Sequence, residues 1–327
     1  MSETTVTIRS VDSKVWKEFQ TGIVTLHGNL YGNIGQELTN ALKIWLKNHQ
    51  KRDIIVGIPA DRLSVSYNDI GGLKEEIKMT REMVEIPIKH PELFRWLNLI
   101  PPKGILIHGP PGTGKNILVK AATAEAKAQL YILSIMQILG ELSEMTLREV
   151  FRKAKENAPS VILIPDLNLL TVNTQKVSED PTNQIISWLV SEIDTLEDFC
   201  NVIVIGITSA PNELEPSFRQ RFQKEIEVSF PDRQGRYEIL RIQTKNMPLA
   251  EDVDLEKLAD ITDQYQGMLL QRICQESATL ALRRILEHGE LTNEKIPQEK
   301  LEQIRVGMDD FIHAFESLKS KEINIRP

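Results

Sequence analysis

Residues 4–11 alternate, with Val6 and Ile8 on one side and Thr5, Thr7 and Arg9 on the other, the two-residue period of a half-buried strand. The period then changes. Asp12 stands at an expected helix N-cap, Val11 and Trp16 are spaced as a hydrophobic staple across it, and Trp16, Phe19 and Ile23 continue one apolar stripe. Gly28, Gly32 and Gly35 interrupt, and a second helix is predicted in which Ile34, Leu38, Leu42, Trp45 and Leu46 share a face while Lys43 and Lys47 face away. Residues 53–66, with Pro59 and short polar stretches, read as a linker. Beyond it the apolar runs Gly104–His108, Val161–Ile164 and Val202–Ile207 are short, β-rich and separated by helical segments, as buried parallel strands of an α/β domain are. After Pro231 and Asp232 the strands stop. Residues 233–319 are helical in pattern, with Tyr237, Ile239, Leu240, Ile273, Leu280 and Leu282 as core candidates.

These patterns divide the chain into a small β-α-α domain over 1–52, the linker 53–66, an α/β domain over 67–231 and an all-α domain over 232–327. A length of 327 residues fits this, being too great for most single cores. With 26% charged and 41% apolar residues the composition is that of an ordinary globular protein. No apolar stretch reaches the length of a membrane span, and the N-terminal sequence lacks the features of a signal peptide, so no membrane contact and a cytoplasmic location are expected. Cys200 and Cys274 show no ligand spacing with each other or with the six histidines, which favours free thiols over a disulfide or a zinc site.

Charge separates the two ends. Residues 1–52 hold seven Lys or Arg against four Asp or Glu, leaving −10 for the remainder of a chain whose net charge is −7. The strand, helix, helix order of this basic head resembles a ribbon-helix-helix module. That resemblance implies pairing of two chains and entry of the ribbon into the DNA major groove, with Thr5, Thr7 and Arg9 reading bases. The alternative is a module that only dimerises or docks a partner.

The strongest chemical signal lies at residues 109–116. Gly109, Pro110, Pro111, Gly112, Thr113, Gly114 and Lys115 form a phosphate-binding loop, in which glycines let backbone N–H groups wrap phosphates and the lysine neutralises the terminal ones. The next position normally carries a hydroxyl that holds Mg²⁺. Here it is Asn116.

Four stretches together resemble the AAA ATPases, most closely the first ATPase domain of archaeal-like members of the valosin-containing-protein type. They are Asp69 to Leu73 (Asp-Ile-Gly-Gly-Leu), His90 to Phe94 leading to Pro101–Gly104, the phosphate loop, and Asn246 to Asp254. The resemblance runs from Asn68 to about Leu318, roughly three quarters of the chain, so it implies an AAA α/β domain followed by a helical lid. It further implies ATP or ADP as ligand, Asp69 and Gly71 against the adenine, Gly267 closing over the base, and hexameric rings of like subunits.

The catalytic positions depart from that family. Pro165 falls at the Asp that anchors Mg²⁺, and Asp166 at the Glu that polarises the attacking water, one methylene short. Displacement by about 1 Å of such a group costs on the order of a hundredfold in rate. Asn116 and Asp166 are the remaining candidates for holding Mg²⁺. Ser209 replaces an Asn that senses the terminal phosphate, and in Ser217–Phe222 the first of two trans-acting arginines is Gln220, leaving Arg221 as a lone finger or else as a surface or salt-bridge arginine. Between Ala128 and Phe151 about three residues are deleted relative to that family, and the stretch Met136–Gly140 has no aromatic where threading members grip substrate. A degenerate pseudo-ATPase is therefore expected, a nucleotide-holding ring scaffold with weak or no hydrolysis. Two other readings stay open. One is a working ATPase that uses Asp166 and Asn116 at the metal. The other is a DNA-binding transcriptional or chromosomal regulator with the AAA body as an oligomerisation platform. Joining mixed rings with an active relative, to which Arg221 would be lent, is a corollary.

Overall fold

The three apolar runs become strands β1 (Gly104–His108), β3 (Ser160–Ile164) and β4 (Val202–Thr208) of one parallel sheet, whose interior strands are buried along almost their whole length. The computed structural model describes residues 13–30, 33–41, 57–141, 144–170, 181–287 and 304–323. Two further strands, β2 (Gln129–Ile132) and β5 (Lys224–Glu227), occupy the edges and give the order β2-β3-β4-β1-β5. The pattern did not predict these two. Only Ile226 of β5 is buried, because an edge strand meets one neighbour and can stay polar. Ile105 stands beside both Ile205 of β4 and Lys224 of β5, so β1, whose C-terminus leads into the phosphate loop, lies inside the sheet between these two strands.

By contact the chain divides into two units, Met1–Val56 and Gly57–Pro327. In the first, helix α1 (Ser13–His27) buries Ile23 and stacks Trp16 on Phe19 with ring centroids 5.8 Å apart, along the predicted stripe. It stops where Gly28 turns to φ 76° and donates its N–H to Val24 O. Helix α2 covers residues 34–41, so Gly35 lies inside it. The predicted strand with Thr5, Thr7 and Arg9, the Asp12 cap, and Leu42, Lys43, Trp45, Leu46 and Lys47 lie outside the described residues.

The second unit begins within the stretch read as linker. Ile58 exchanges backbone hydrogen bonds with Leu130 of β2, extending the sheet edge by one antiparallel bridge. Helices α3 (Lys74–Thr80), α4 (Ile86–Lys89) and α5 (Pro91–Trp96) follow, and α6 (Lys115–Glu125) starts at the phosphate loop, burying Leu118, Val119 and Ala122 against the sheet. Helices α7 (Ile135–Glu141), α8 (Glu144–Glu156), α9 (Pro181–Asp194) and α10 (Pro216–Arg219) complete this α/β layer. Four helices follow it: α11 (Arg233–Gln243), α12 (Leu255–Ile261), α13 (Gly267–Glu287) and α14 (Met308–Ile323). They enclose their own core of Leu240, Leu258, Leu270, Ile273 and Phe311. Leu282 is exposed instead of buried, since nine residues from Ile273 is half a turn around the helix. Among the described residues no helix is long and apolar enough to cross a membrane.

Candidate functional site

Between strand β1 and helix α6 the chain must reverse within six residues, and three glycines allow it. Gly109, Gly112 and Gly114 take φ of 139°, 75° and 97°, a region that side chains resist. At Gly109 the close approach is severe, since a Cβ would lie 2.0 Å from Val228 O. Loops of this shape turn backbone N–H groups toward the start of the following helix, where its dipole favours an anion.

Lys115 is folded into the loop. Its Nζ donates to Gly109 O at 2.8 Å and to Pro110 O at 2.5 Å, with Thr113 Oγ1 at 3.4 Å, and the residue is 7% exposed. Burial lowers its pKa from the usual lysine value, and the charge of Asp166 acts in the opposite sense. Thr113 is also committed, donating to Pro110 O.

The loop forms one side of a cleft with a volume of about 360 Å³. Its remaining walls are the segment Asp69–Gly71 with Leu73, then Ile239, Ile242 and Gln243 of α11, then Gly267, Met268 and Gln271 of α13. Backbone packs directly on backbone here. A Cβ on Gly71 would meet Ile239 N at 2.6 Å, and one on Gly72, at φ 73°, would meet Gly235 Cα at 2.7 Å. Glu238 fastens the contact by accepting from Gly72 N–H at 3.1 Å and from Lys74 Nζ at 2.6 Å, and Lys74 more than any other group lowers its carboxyl pKa. On the other side the Met268 N–H donates to Gly112 O at 3.3 Å, so α13 touches the phosphate loop. Asp69 lines the cleft, but its carboxylate accepts from Ser66 N–H and Oγ, and these bonds lower its pKa.

Residues 105–230 match the model of the ATPase family associated with various cellular activities (AAA). They form an AAA domain. Most of the chain is homologous to archaeal proteins. It is 41% identical over 287 residues to the cell division cycle protein 48 homolog of Archaeoglobus fulgidus, covering 86% of this chain and 39% of that protein. To protein SAV of Sulfolobus acidocaldarius the identity is 39% over 262 residues, and to protein CdcH of Halobacterium salinarum 40% over 252, each covering 34% of the relative. The chain thus spans between a third and two fifths of the length of these relatives.

Asn116 is exposed in the first turn of α6. Pro165 ends the course of β3, and Asp166 follows it, exposed, with φ 56°. Ser209 is exposed just after β4, whereas its neighbour Thr208 is buried, its carbonyl oxygen accepting from Gly109 N–H and its hydroxyl oxygen from Ala210 N–H. Arg221 is not free. Its guanidinium grips Asp194 with Nε and Nη2 each 3.0 Å from carboxylate oxygens, and Nη1 donates to Ser217 O. Arg219 is held likewise by Glu225, at 2.8 Å for both nitrogens.

The structure therefore brings Asp69, Gly71, Gly112, Thr113, Gly114, Lys115, Asn116 and Gly267 to one cleft. Asp166 stands near enough to act electrostatically on Lys115, while Arg221 is paired within its own chain. Sequence reading missed Ile239, Ile242, Gln243, Met268 and Gln271. The helical stripe of α11 assigned Ile239 to a core, and nothing in a single sequence says which residues of that stripe overhang a loop more than a hundred residues earlier.

Proposed function

We propose that this chain is a ring-forming AAA scaffold that holds ATP or ADP and hydrolyses it weakly or not at all. The observation that carries this is the contrast inside one cleft. The loop, its lysine and the closing helices are intact, whereas the positions that would manage Mg²⁺ and water carry Asn116, Pro165 and Asp166. On this reading residues 67–231 bind the nucleotide, 232–327 act as a lid, and 1–52 are a separate module that dimerises or binds DNA.

A nucleotide fits the residues present. A cleft of about 360 Å³ has apolar walls for a base and a glycine loop at a helix start for phosphates. Backbone N–H groups of residues 112–115 would receive phosphate oxygens, and the Lys115 ammonium would exchange the Gly109 and Pro110 carbonyls for them. The bound group would supply negative charge that offsets the burial of Lys115. Mg²⁺ fits poorly. Asn116 offers a neutral, longer ligand than a hydroxyl, and Pro165 offers none.

Titration with ATP and with ADP, plus and minus Mg²⁺, tests the proposal, together with a turnover assay. Binding that Lys115→Ala weakens, with turnover near background, is the expected result; brisk Mg²⁺-dependent turnover lost in Lys115→Ala would overturn it. One observation favours the second reading, a working ATPase in which Asp166 and Asn116 hold the metal: the Asp166 charge reaches Lys115. That reading requires Asp166→Asn to abolish a measurable activity.

A further inference from the structure

Away from the cleft, where α5 ends, lies the densest run of exposed apolar side chains among the described residues. Leu93, Trp96, Leu97, Leu99 and Ile100 stand within eight residues, and Trp96 is 88% exposed. Leu97 lies one helical turn beyond Leu93 and Trp96 three residues beyond it, so these side chains adjoin on one face. The segment is firmly held. The N–H groups of Leu97, Asn98 and Leu99 donate to Leu93 O, Arg95 O and Phe94 O at 3.0, 3.2 and 2.8 Å, Asn98 takes φ 53°, and the Arg95 guanidinium lies 5.1 Å above the Phe199 ring. A tryptophan fixed in this way gives up little freedom on association, the character of an interface anchor.

Area and charge indicate what covers it. The five side chains present roughly 600 Å² of apolar surface, the upper end of what a monomer leaves bare. One side of a stable dimer buries about 800 Å², which this patch and its polar rim together match. That rim carries both signs: Glu92 and Arg95 are exposed on α5, and Lys103 pairs with Asp198 at 2.9 Å. A two-fold contact sets a surface against itself, and a rim holding both charges can meet itself without like charges facing each other.

We propose that this face pairs two copies of the chain about a two-fold axis, with Trp96 at its centre. The contact is of a different kind from the head-to-tail contacts that build a ring, so it doubles the mass of whatever assembly those contacts form. It does not rest on nucleotide binding.

Light scattering on the full chain across a concentration series reads the mass. Trp96→Glu with Ile100→Glu, which sets like charges across the axis, should halve the mass of the unaltered protein and leave its melting temperature unchanged, whereas Leu282→Glu, at an exposed apolar position on α13, should change neither. A cross-link separates this contact from pairing through residues 1–52. With Cys200→Ser in place, Leu97→Cys should give a disulfide-linked dimer on air oxidation, and adding Trp96→Glu should lower its yield by at least about tenfold. A mass unchanged by the charged pair overturns the proposal, as does the absence of a linked dimer. A foreign protein that co-purifies with the unaltered chain and is lost in Trp96→Glu, the mass of the chain's own assembly staying constant, overturns it in favour of a different occupant.

Discussion

At the scale of single residues, Lys115 and Gly109 divide the work of the phosphate loop between charge and shape. Lys115→Ala should lower ATP affinity by at least about tenfold, the loss of a charge-assisted hydrogen bond, in the same titration that measures the unaltered protein. Gly109→Ala should instead destabilise the fold by about 3 kcal/mol or more, because its Cβ would overlap the Val228 carbonyl on a backbone that side chains resist. A lowered melting temperature with nucleotide omitted reveals that cost. The two cysteines give a check on packing. Burial pushes the Cys274 thiol pKa up to about 12, whereas Cys200 is partly exposed. A thiol reagent at pH 8 should therefore label Cys200 in the native protein and Cys274 only after denaturation, with one equivalent rising to two. The loop was legible from sequence because its chemistry is local: seven consecutive residues supply both the turn and the charge. Arg221 was not legible, since its partner Asp194 comes from the end of another helix and only the fold joins them.

Among the elements, the contact between the segment 66–74 and α11 decides how the cleft is closed. Glu238 holds Gly72 N–H and Lys74, and Asp69 holds Ser66, so both carboxyls have pKa values below their ordinary 4.5 and 3.8. A carboxylate with a lowered folded-state pKa adds stability above its unfolded value and loses it as pH falls through the folded value. Stability should accordingly be full at neutral pH and decline as pH drops below about 4.5. Glu238→Gln should cost about 1 kcal/mol at pH 7 and flatten that decline, as denaturant melts at pH 7 and pH 4 would show. No change in the slope would mean that the contact does not couple to protonation. Helical periodicity located α11 and α13, but the edge strand β5 escaped because three of its four side chains face water. Polar edge strands carry little of the signal by which buried ones are recognised.

For the whole molecule, the AAA domain explains residues 105–230, while the basic head and the ring remain proposals to be tested on the intact chain. Gel shifts across a salt series address the head. If residues 1–52 contact phosphates, affinity should fall steeply between low and physiological salt, and absence of any shift at low salt would leave dimerisation as their role. A head that pairs in twos on a ring of six gives three pairs, or else ties two rings together, and mass measurements in solution distinguish these. For a mixed ring with an active relative, Arg221 would have to leave Asp194, so co-purification alone would not establish a shared site.

By itself the sequence determined the parallel core strands and the phosphate loop, because each is written in neighbouring residues whose spacing has one physical meaning. The tertiary structure alone decided that Ile239, Gln243, Gly267 and Gln271 meet Asp69–Gly71 across one cleft, and that Arg219 and Arg221 are held within the chain. Those contacts join segments distant in sequence, and a periodic pattern shows which face of a helix is buried without showing what it is buried against.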